Sequence, residues 1–441
     1  MYYNNAKLLI YLEKLLQMKD YIEFSEKIPI KEKHQLIVCG AGVAGVAAAV
    51  AAARHGVDVL LLEKNLNLGG LATNGLINFF VPACQGRGVK IIKGMSQEFF
   101  DLSIKYGFDT VPDKWKEDSD TPKDRGGQRY VTKYSANIFA LALAELVTTS
   151  KIKLLLDVDI LSPIMENGHC KGVVVAGKDG KRFYPADYVI DTTGDADIMY
   201  RAGVPCMDGK NYFTYCAYKA DMNSCKNAVE SGDISRLYVR IYGGSIDLYG
   251  HNQPSDIPLY KGTSIEDVSE FILKNQQILL DKIKNDNRTS RDIILTPSQP
   301  QFRTTRCIKG GHIFSEKDAF VHFDDSIGAI CDFDRRDYIF EVPFRCLVNE
   351  RFDNLLTAGR SASADGYGWD ILRVIPPAII TGQAAGTAVS VALNGKCDIN
   401  RVDIAKLQDL LSHDDVMIHF DDSLIPSDDV QIGEHYESDH I

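Results

Sequence analysis

Between His34 and Gly75 the chain reads HQLIVCGAGVAGVAAAVAAARHGVDVLLLEKNLNLGGLATNG, an order of residues that few folds accommodate. A short apolar run, Leu36 to Cys39, leads directly into Gly40-Ala41-Gly42-Val43-Ala44-Gly45. An alanine-rich helix is predicted up to Gly56, then a second apolar strand from Val57 to Leu62 that ends on Glu63. This is a βαβ unit with G-x-G-x-x-G at its first turn. Gly40 allows the tight turn, Gly42 lets the backbone approach a pyrophosphate, and Gly45 lets helix and sheet pack closely. Free N–H groups at the helix N-terminus favour the diphosphate, and Glu63 can accept hydrogen bonds from a ribose diol. The unit predicts a bound adenine dinucleotide.

The following residues discriminate between dinucleotides. Gly69-Gly70 stands just after Lys64 and suits a backbone passing close to a bulky group beyond the adenosine; Ala72 and Thr73 continue that loop. A strand predicted over Tyr188 to Asp191 enters Thr192-Thr193-Gly194, and Asn354 to Thr357 enters Ala358-Gly359-Arg360. Three glycine-marked turns able to meet on one extended ligand point to FAD. A helix opening near Pro376-Pro377 follows Arg373-Val374; its positive end suits the N1–C2=O edge of a flavin. The cofactor set is therefore Gly40, Gly42, Ala44, Gly45, Glu63, Lys64, Gly69, Gly70, Ala72, Thr73, Thr193, Gly194, Gly359, Arg360, Arg373 and Val374.

From about Ile22 to about Ile418 the chain resembles the FAD-dependent oxidoreductases of the glutathione-reductase superfamily, a group related to the flavin subunit of heterodisulfide reductase. The resemblance rests on GAGVAGVAAAVAAARHG with LGGLATNG, on VIDTTGDADIMYRAG, on FRTTRCIKGGH, and on NLLTAGRSAS with LRVIPPAIITGQAAGTA. It implies an α/β fold, a Rossmann-type FAD-binding domain with an inserted α+β substrate domain. It also adds Val158 as a backbone contact to adenine. The expected boundaries are 1–33 for an N-terminal helix and lead-in, and 34–80, 131–200 and 350–398 for the FAD-binding domain. Residues 81–130 and 201–349 are assigned to the substrate or cap domain, and 399–441 to a C-terminal helix and acidic tail.

Hydrophobic residues make up 45% and charged residues 25% of the chain, as in globular enzymes. The net charge of −11 disfavours nucleic acid and anionic membranes as partners. No apolar run reaches the length of a membrane span, and the N-terminus lacks the pattern of a signal peptide, so a cytoplasmic location is expected. The ten cysteines contain no C-x-x-C pair. An iron–sulfur cluster, which relatives hold with closely spaced thiolates, is therefore not expected, nor is a resident metal. Only one G-x-G-x-x-G occurs, so no second Rossmann domain for NAD(P)H is expected. Electrons should pass between a small-molecule substrate, the flavin and an unidentified external acceptor or donor.

The expected reaction is hydride transfer between a small organic substrate and flavin N5. An electron-transfer subunit or a non-redox flavoenzyme is the alternative. Catalytic candidates come from two segments. Arg303 and Arg306 in FRTTRC match basic positions of the family's R-E-(S/T)-R-R pattern, although Thr304 and Cys307 depart from it. Paired guanidiniums can hold a carboxylate or enolate, or can brace the joint between domains. In SASADGYGWDILRVIPP the family commonly has His-Glu where this chain has Gly366-Tyr367, which leaves Tyr367 and Asp370 as groups able to bind or exchange a proton.

Overall fold

The computed structural model describes residues 24–116 and 128–426. The helix expected near Ala6–Met18 and most of the acidic tail lie outside the described residues. The central sheet is built on strands that read as continuous apolar runs, as strands covered on both faces must. Its parallel part runs Lys153–Leu155, Val59–Leu62, His34–Cys39, the second half of Gly180–Asp191, and Leu355–Thr357. Side-chain alternation divides these strands between two cores. Leu36, Val38, Leu61, Ile190 and Leu356 face a helical layer. Ile37, Cys39, Leu60, Leu62, Val189 and Leu355 face the opposite way.

That second face is covered by an antiparallel meander, Asp159–Glu166, His169–Gly177 and the first half of Gly180–Asp191. The first turn of the meander is Asn167-Gly168, with φ of 51° and 84°. Asn-Gly populates this left-handed pair of a tight hairpin more easily than other residues do. One strand, Gly180–Asp191, therefore serves both arrays and joins them rigidly.

The helical layer is dominated by Val43–Arg54 and Ile375–Gly395. A Cβ at Gly382 would lie 2.2 Å from the Ala44 carbonyl oxygen, and one at Gly386 would lie 2.1 Å from that of Ala48. The small residues of GQAAG thus bring two backbones together. Helix Ala136–Thr149 packs beside them, its N-terminus capped by Ser135. No single helix among the described residues is long and apolar enough to cross a membrane. The pair Gly366–Leu372 and Ile375–Gly395 meets that test only jointly, across a bend of 77°.

A separate core forms around Phe213, Tyr215, Tyr260, Phe271 and Phe302. It lies with the antiparallel sheet Val239–Ser245, Thr214–Asp221, Arg291–Leu295 and the helix Ile265–Ile283. This cap is smaller than the sequence suggested. Ala83, Ile91, Phe99 and Tyr130, from the stretch expected in the cap, belong to the main core. So do Ile327, Ile330, Phe340 and Leu347. SIGAIC and IFEVP are buried along their whole length, the first of them packed against the helices Ile375–Gly395 and Ile404–His413.

Candidate functional site

At the C-terminal ends of the parallel strands, three glycine turns and the Gly69-Gly70 loop meet. A Cβ at Gly40 would lie 2.6 Å from the Thr192 carbonyl oxygen, and one at Gly359 would lie 2.8 Å from Ala44 Cβ. The Gly69 N–H donates to the Ala41 carbonyl at 2.8 Å. Gly45 is closed in the same way, with a Cβ position 1.9 Å from the Gly40 oxygen. Gly42 differs: nothing lies within 4 Å of its Cβ position, so it looks onto open space. That space is a cleft lined by Gly40, Gly42, Ala44, Glu63, Lys64, Gly69, Gly70, Ala72, Thr193, Gly194, Gly359, Arg360 and Arg373.

Glu63 is buried at the end of its strand. Its carboxylate accepts the Ala41 N–H at 2.7 Å and both the N–H and Nδ2 of Asn65 at 2.8 Å. These bonds fix the carboxylate at the edge of the cleft. Arg360 ties the other turns together, donating to the Gly194 carbonyl at 2.8 Å, to Asp195 at 2.6 Å and to the Phe302 carbonyl. Asp191 is fully buried and accepts the N–H groups of Thr193, Ile198 and Met199, which holds the turn after its strand in shape.

Four residues of the expected cofactor set stand back from the cleft. Gly45 serves helix packing. The Thr73 hydroxyl is turned inward and donates to the Leu68 carbonyl at 2.5 Å. Val374 caps the helix Ile375–Gly395 by its main chain. The Val158 N–H is taken by the Glu63 carbonyl at 3.2 Å, and its side chain lines a recess with Leu155 and Tyr184 instead. The strand Lys153–Leu155 stops short of Val158 and the next begins at Asp159, which lines the cleft with Ile160. Asn65, Asp197, Arg201 and Gln299 also line it. Asp197 and Arg201 were legible as an i,i+4 pair in GDADIMYR, whereas Gln299 carries no sequence signal.

The four catalytic candidates do not share one cavity, and none lines the cleft directly. Arg303 lies near the cleft-lining Arg373. Its guanidinium donates to the main-chain carbonyls of Asp247 at 2.7 Å and Ile246 at 3.3 Å. Burial and the neighbouring Arg373 push its pKa down to about 10. Asp370 is committed to Arg373, at 2.7 Å to Nε and 2.6 Å to Nη2. Arg306 points elsewhere, stacked 3.9 Å from the Tyr200 ring and 3.7 Å from Asp197; it is a brace under the Asp197 turn. Tyr367 donates to buried Asp332 at 2.8 Å beneath the Arg335 guanidinium. Burial and Asp332 hold its phenol far above the ordinary range, so it keeps its proton at neutral pH.

The sequence profile of the family described as FAD dependent oxidoreductase matches residues 35–216 and 248–411. The chain belongs to that family. No curated protein matches it. Among solved structures it is similar to p-nitrophenol 4-monooxygenase PnpA from Pseudomonas putida DLL-E4, at 12% identity over 89% of this chain and 91% of that one, with a TM-score of 0.45. It is similar also to a geranylgeranyl bacteriochlorophyll reductase-like protein from Thermoplasma acidophilum, at 13% identity over 87% and 84%, with a TM-score of 0.44. For L-proline dehydrogenase from P. horikoshii the figures are 13%, 88%, 100% and 0.38. Likeness at that level assigns no activity or substrate here. Family membership makes the protein an FAD-dependent oxidoreductase, and the open space before Gly42 is a cradle that any side chain would fill, which fits the cofactor.

Proposed function

We propose that this oxidoreductase transfers a hydride between a small organic substrate and bound FAD, and exchanges electrons with a separate external partner. The observation that carries the reading is the convergence of the Gly42, Gly70, Gly194 and Gly359 loops on one cleft that has Arg373 at its edge. FAD, when bound, supplies the two-electron redox centre at N5. The chain's own residues bind and orient. Gly42 and the first turn of Val43–Arg54 receive the diphosphate, and the carboxylate of Glu63 receives the ribose. Gly69, Gly70 and Ala72 give the flavin ring a flat wall.

The N-terminus of Ile375–Gly395 would stabilise negative charge on a bound flavin ring. Pro376 and Pro377 have no N–H, so the Arg373 guanidinium and the Ile375 N–H take over much of that task. Asp370 aims Arg373 through its ion pair. Arg303 is the residue assigned to the substrate. Its hydrogen bonds go to main-chain carbonyls, with Asp370 and Asp247 near enough to act on its charge, and its remaining N–H groups would hold a carboxylate or enolate beside the ring. The ten cysteines are unpaired, which supports placing the enzyme in the reducing cytoplasm.

Anaerobic stopped-flow bleaching of the flavin against a panel of metabolites, with and without carboxylates, tests the reading. Arg303→Lys is expected to keep FAD and the melting temperature while slowing bleaching by about 30- to 1000-fold, the worth of a lost charge-assisted contact. Unchanged bleaching in Arg303→Lys, with a substrate identified, would remove Arg303 from the active site.

A further inference from the structure

The segment 416–420 returns across the molecule and is tied to the strand Ser326–Cys331. The Ala329 N–H donates to the Met417 carbonyl at 2.6 Å, and Ser326 Oγ donates to the Ile418 carbonyl at 2.6 Å. In the adjoining strand Ile339–Pro343, Glu341 has 0% exposure. Its carboxylate accepts the Phe323 N–H at 2.8 Å and faces Nδ1 of His322 at 2.5 Å and Nδ1 of His419 at 3.0 Å. The other ring nitrogen of His322 faces Asp422 Oδ1 at 2.9 Å. One ligand atom from each of His322, Glu341 and His419 lies within 4.8 Å of the others. The two imidazoles are 43% and 47% exposed, so an ion from solvent can reach them.

A buried carboxylate facing two imidazole nitrogens calls for positive charge. Each nitrogen of His322 faces a carboxylate, Nδ1 that of Glu341 and Nε2 that of Asp422. A divalent ion meets the same demand at a single centre. It binds Nδ1 of both rings and the Glu341 carboxylate, while Asp422 accepts the Nε2–H of His322 from behind. That is the carboxylate–histidine–metal arrangement that orients a ligand and raises its basicity. Two imidazoles and one carboxylate suit Zn²⁺ and its neighbours. Bonds of about 2.0–2.1 Å require ligand atoms roughly 3.3 Å apart in a tetrahedron. The surface imidazoles can swing out to that spacing while Glu341 stays fixed.

We propose that His322, Glu341 and His419 bind one divalent ion of the zinc class, with Asp422 orienting His322, and that the ion clamps residues 416–422 to the strand pair beneath. None of these residues lines the flavin cleft, so the site acts apart from the redox centre.

The test uses tag-free, FAD-loaded protein stripped with a chelator and titrated with Zn²⁺ by calorimetry and with Co²⁺ by visible absorption. One ion per chain is expected, with tetrahedral Co²⁺ bands beyond the flavin absorption and a melting temperature that rises with Zn²⁺. His322→Gln and His419→Gln should each lose the Co²⁺ bands while keeping FAD. Asp422→Asn should keep the stoichiometry and weaken binding by about tenfold, as loss of an orienting partner does. Absence of saturable binding overturns the proposal. So does equal Zn²⁺ affinity in the wild type and the His322→Gln/His419→Gln double variant.

Discussion

Gly42 and Gly45 stand in one turn yet answer to different constraints. A side chain at Gly45 collides with the Gly40 carbonyl, whereas one at Gly42 enters open cleft without touching protein. Gly42→Val is therefore expected to fold and to be colourless, and Gly45→Val to fail to fold. Circular dichroism and flavin absorbance on the purified variants check both, and a yellow, folded Gly42→Val would remove the diphosphate from that cradle. Tyr367 is held by Asp332 and serves stability. Tyr367→Phe removes a buried hydrogen bond to a carboxylate, worth about 1.5–3 kcal/mol. A lower denaturation midpoint with an unchanged bleaching rate is the expected result; slower bleaching at unchanged stability would restore a catalytic role. Among the thiols, Cys225 is exposed, while Cys39, Cys331 and Cys346 are buried and burial pushes their pKa values up. At mildly alkaline pH the buried three stay protonated and shielded, so a thiol reagent should label Cys225 first, and Cys225→Ser should abolish the fast phase.

At the scale of elements, the contact between Val43–Arg54 and Ile375–Gly395 positions both helix N-termini at the cleft. It depends on the missing side chains of Gly382 and Gly386. Gly386→Val forces the two backbones apart, an overpacking change that costs about 1–3 kcal/mol. A matching loss of FAD affinity is expected, measurable by fluorescence titration alongside a urea melt; lost stability with unaltered affinity would show that the helix pair does not set the cleft. Helix Ile375–Gly395 has two prolines in its first turn, and in the proposed function Arg373 carries a larger share of the charge stabilisation than the helix end. Arg373→Ala should make the flavin harder to reduce, by roughly 30–60 mV for a lost interaction of about 1.4–2.8 kcal/mol. Dye equilibration measures this, and an unmoved potential would place Arg373 away from the ring.

At the scale of the whole molecule, loops far apart in the chain line one cleft, so a ligand that fills it couples their stability. FAD at one hundred times its dissociation constant stabilises the native state by about 2.7 kcal/mol, and the melting temperature of the apoprotein should climb with FAD concentration. Gly42→Val should show no such climb. The βαβ unit, the cofactor and the family were readable in the residues because the phosphate-binding turn is local: strand, glycines and helix adjoin in the chain and each obeys short-range sterics. Arg306 and Tyr367 were not readable in that way. Their chemistry permits catalysis, but Tyr200 and Asp332, brought from elsewhere in the fold, occupy them. Val158 stands back from the cleft because the strand Lys153–Leu155 stops short of it and its N–H is taken by the Glu63 carbonyl. The extent of the cap was likewise decided by packing, since SIGAIC and IFEVP state that they are buried but not against which layer. The grouping of His322, Glu341 and His419 exists only in three dimensions: two imidazoles that stand 97 residues apart in the sequence meet one carboxylate because residues 416–422 fold back over the strand pair. Backbone geometry propagates along the chain and is legible from it; the partner of a long polar side chain is chosen by whichever group the fold delivers within 3 Å or so.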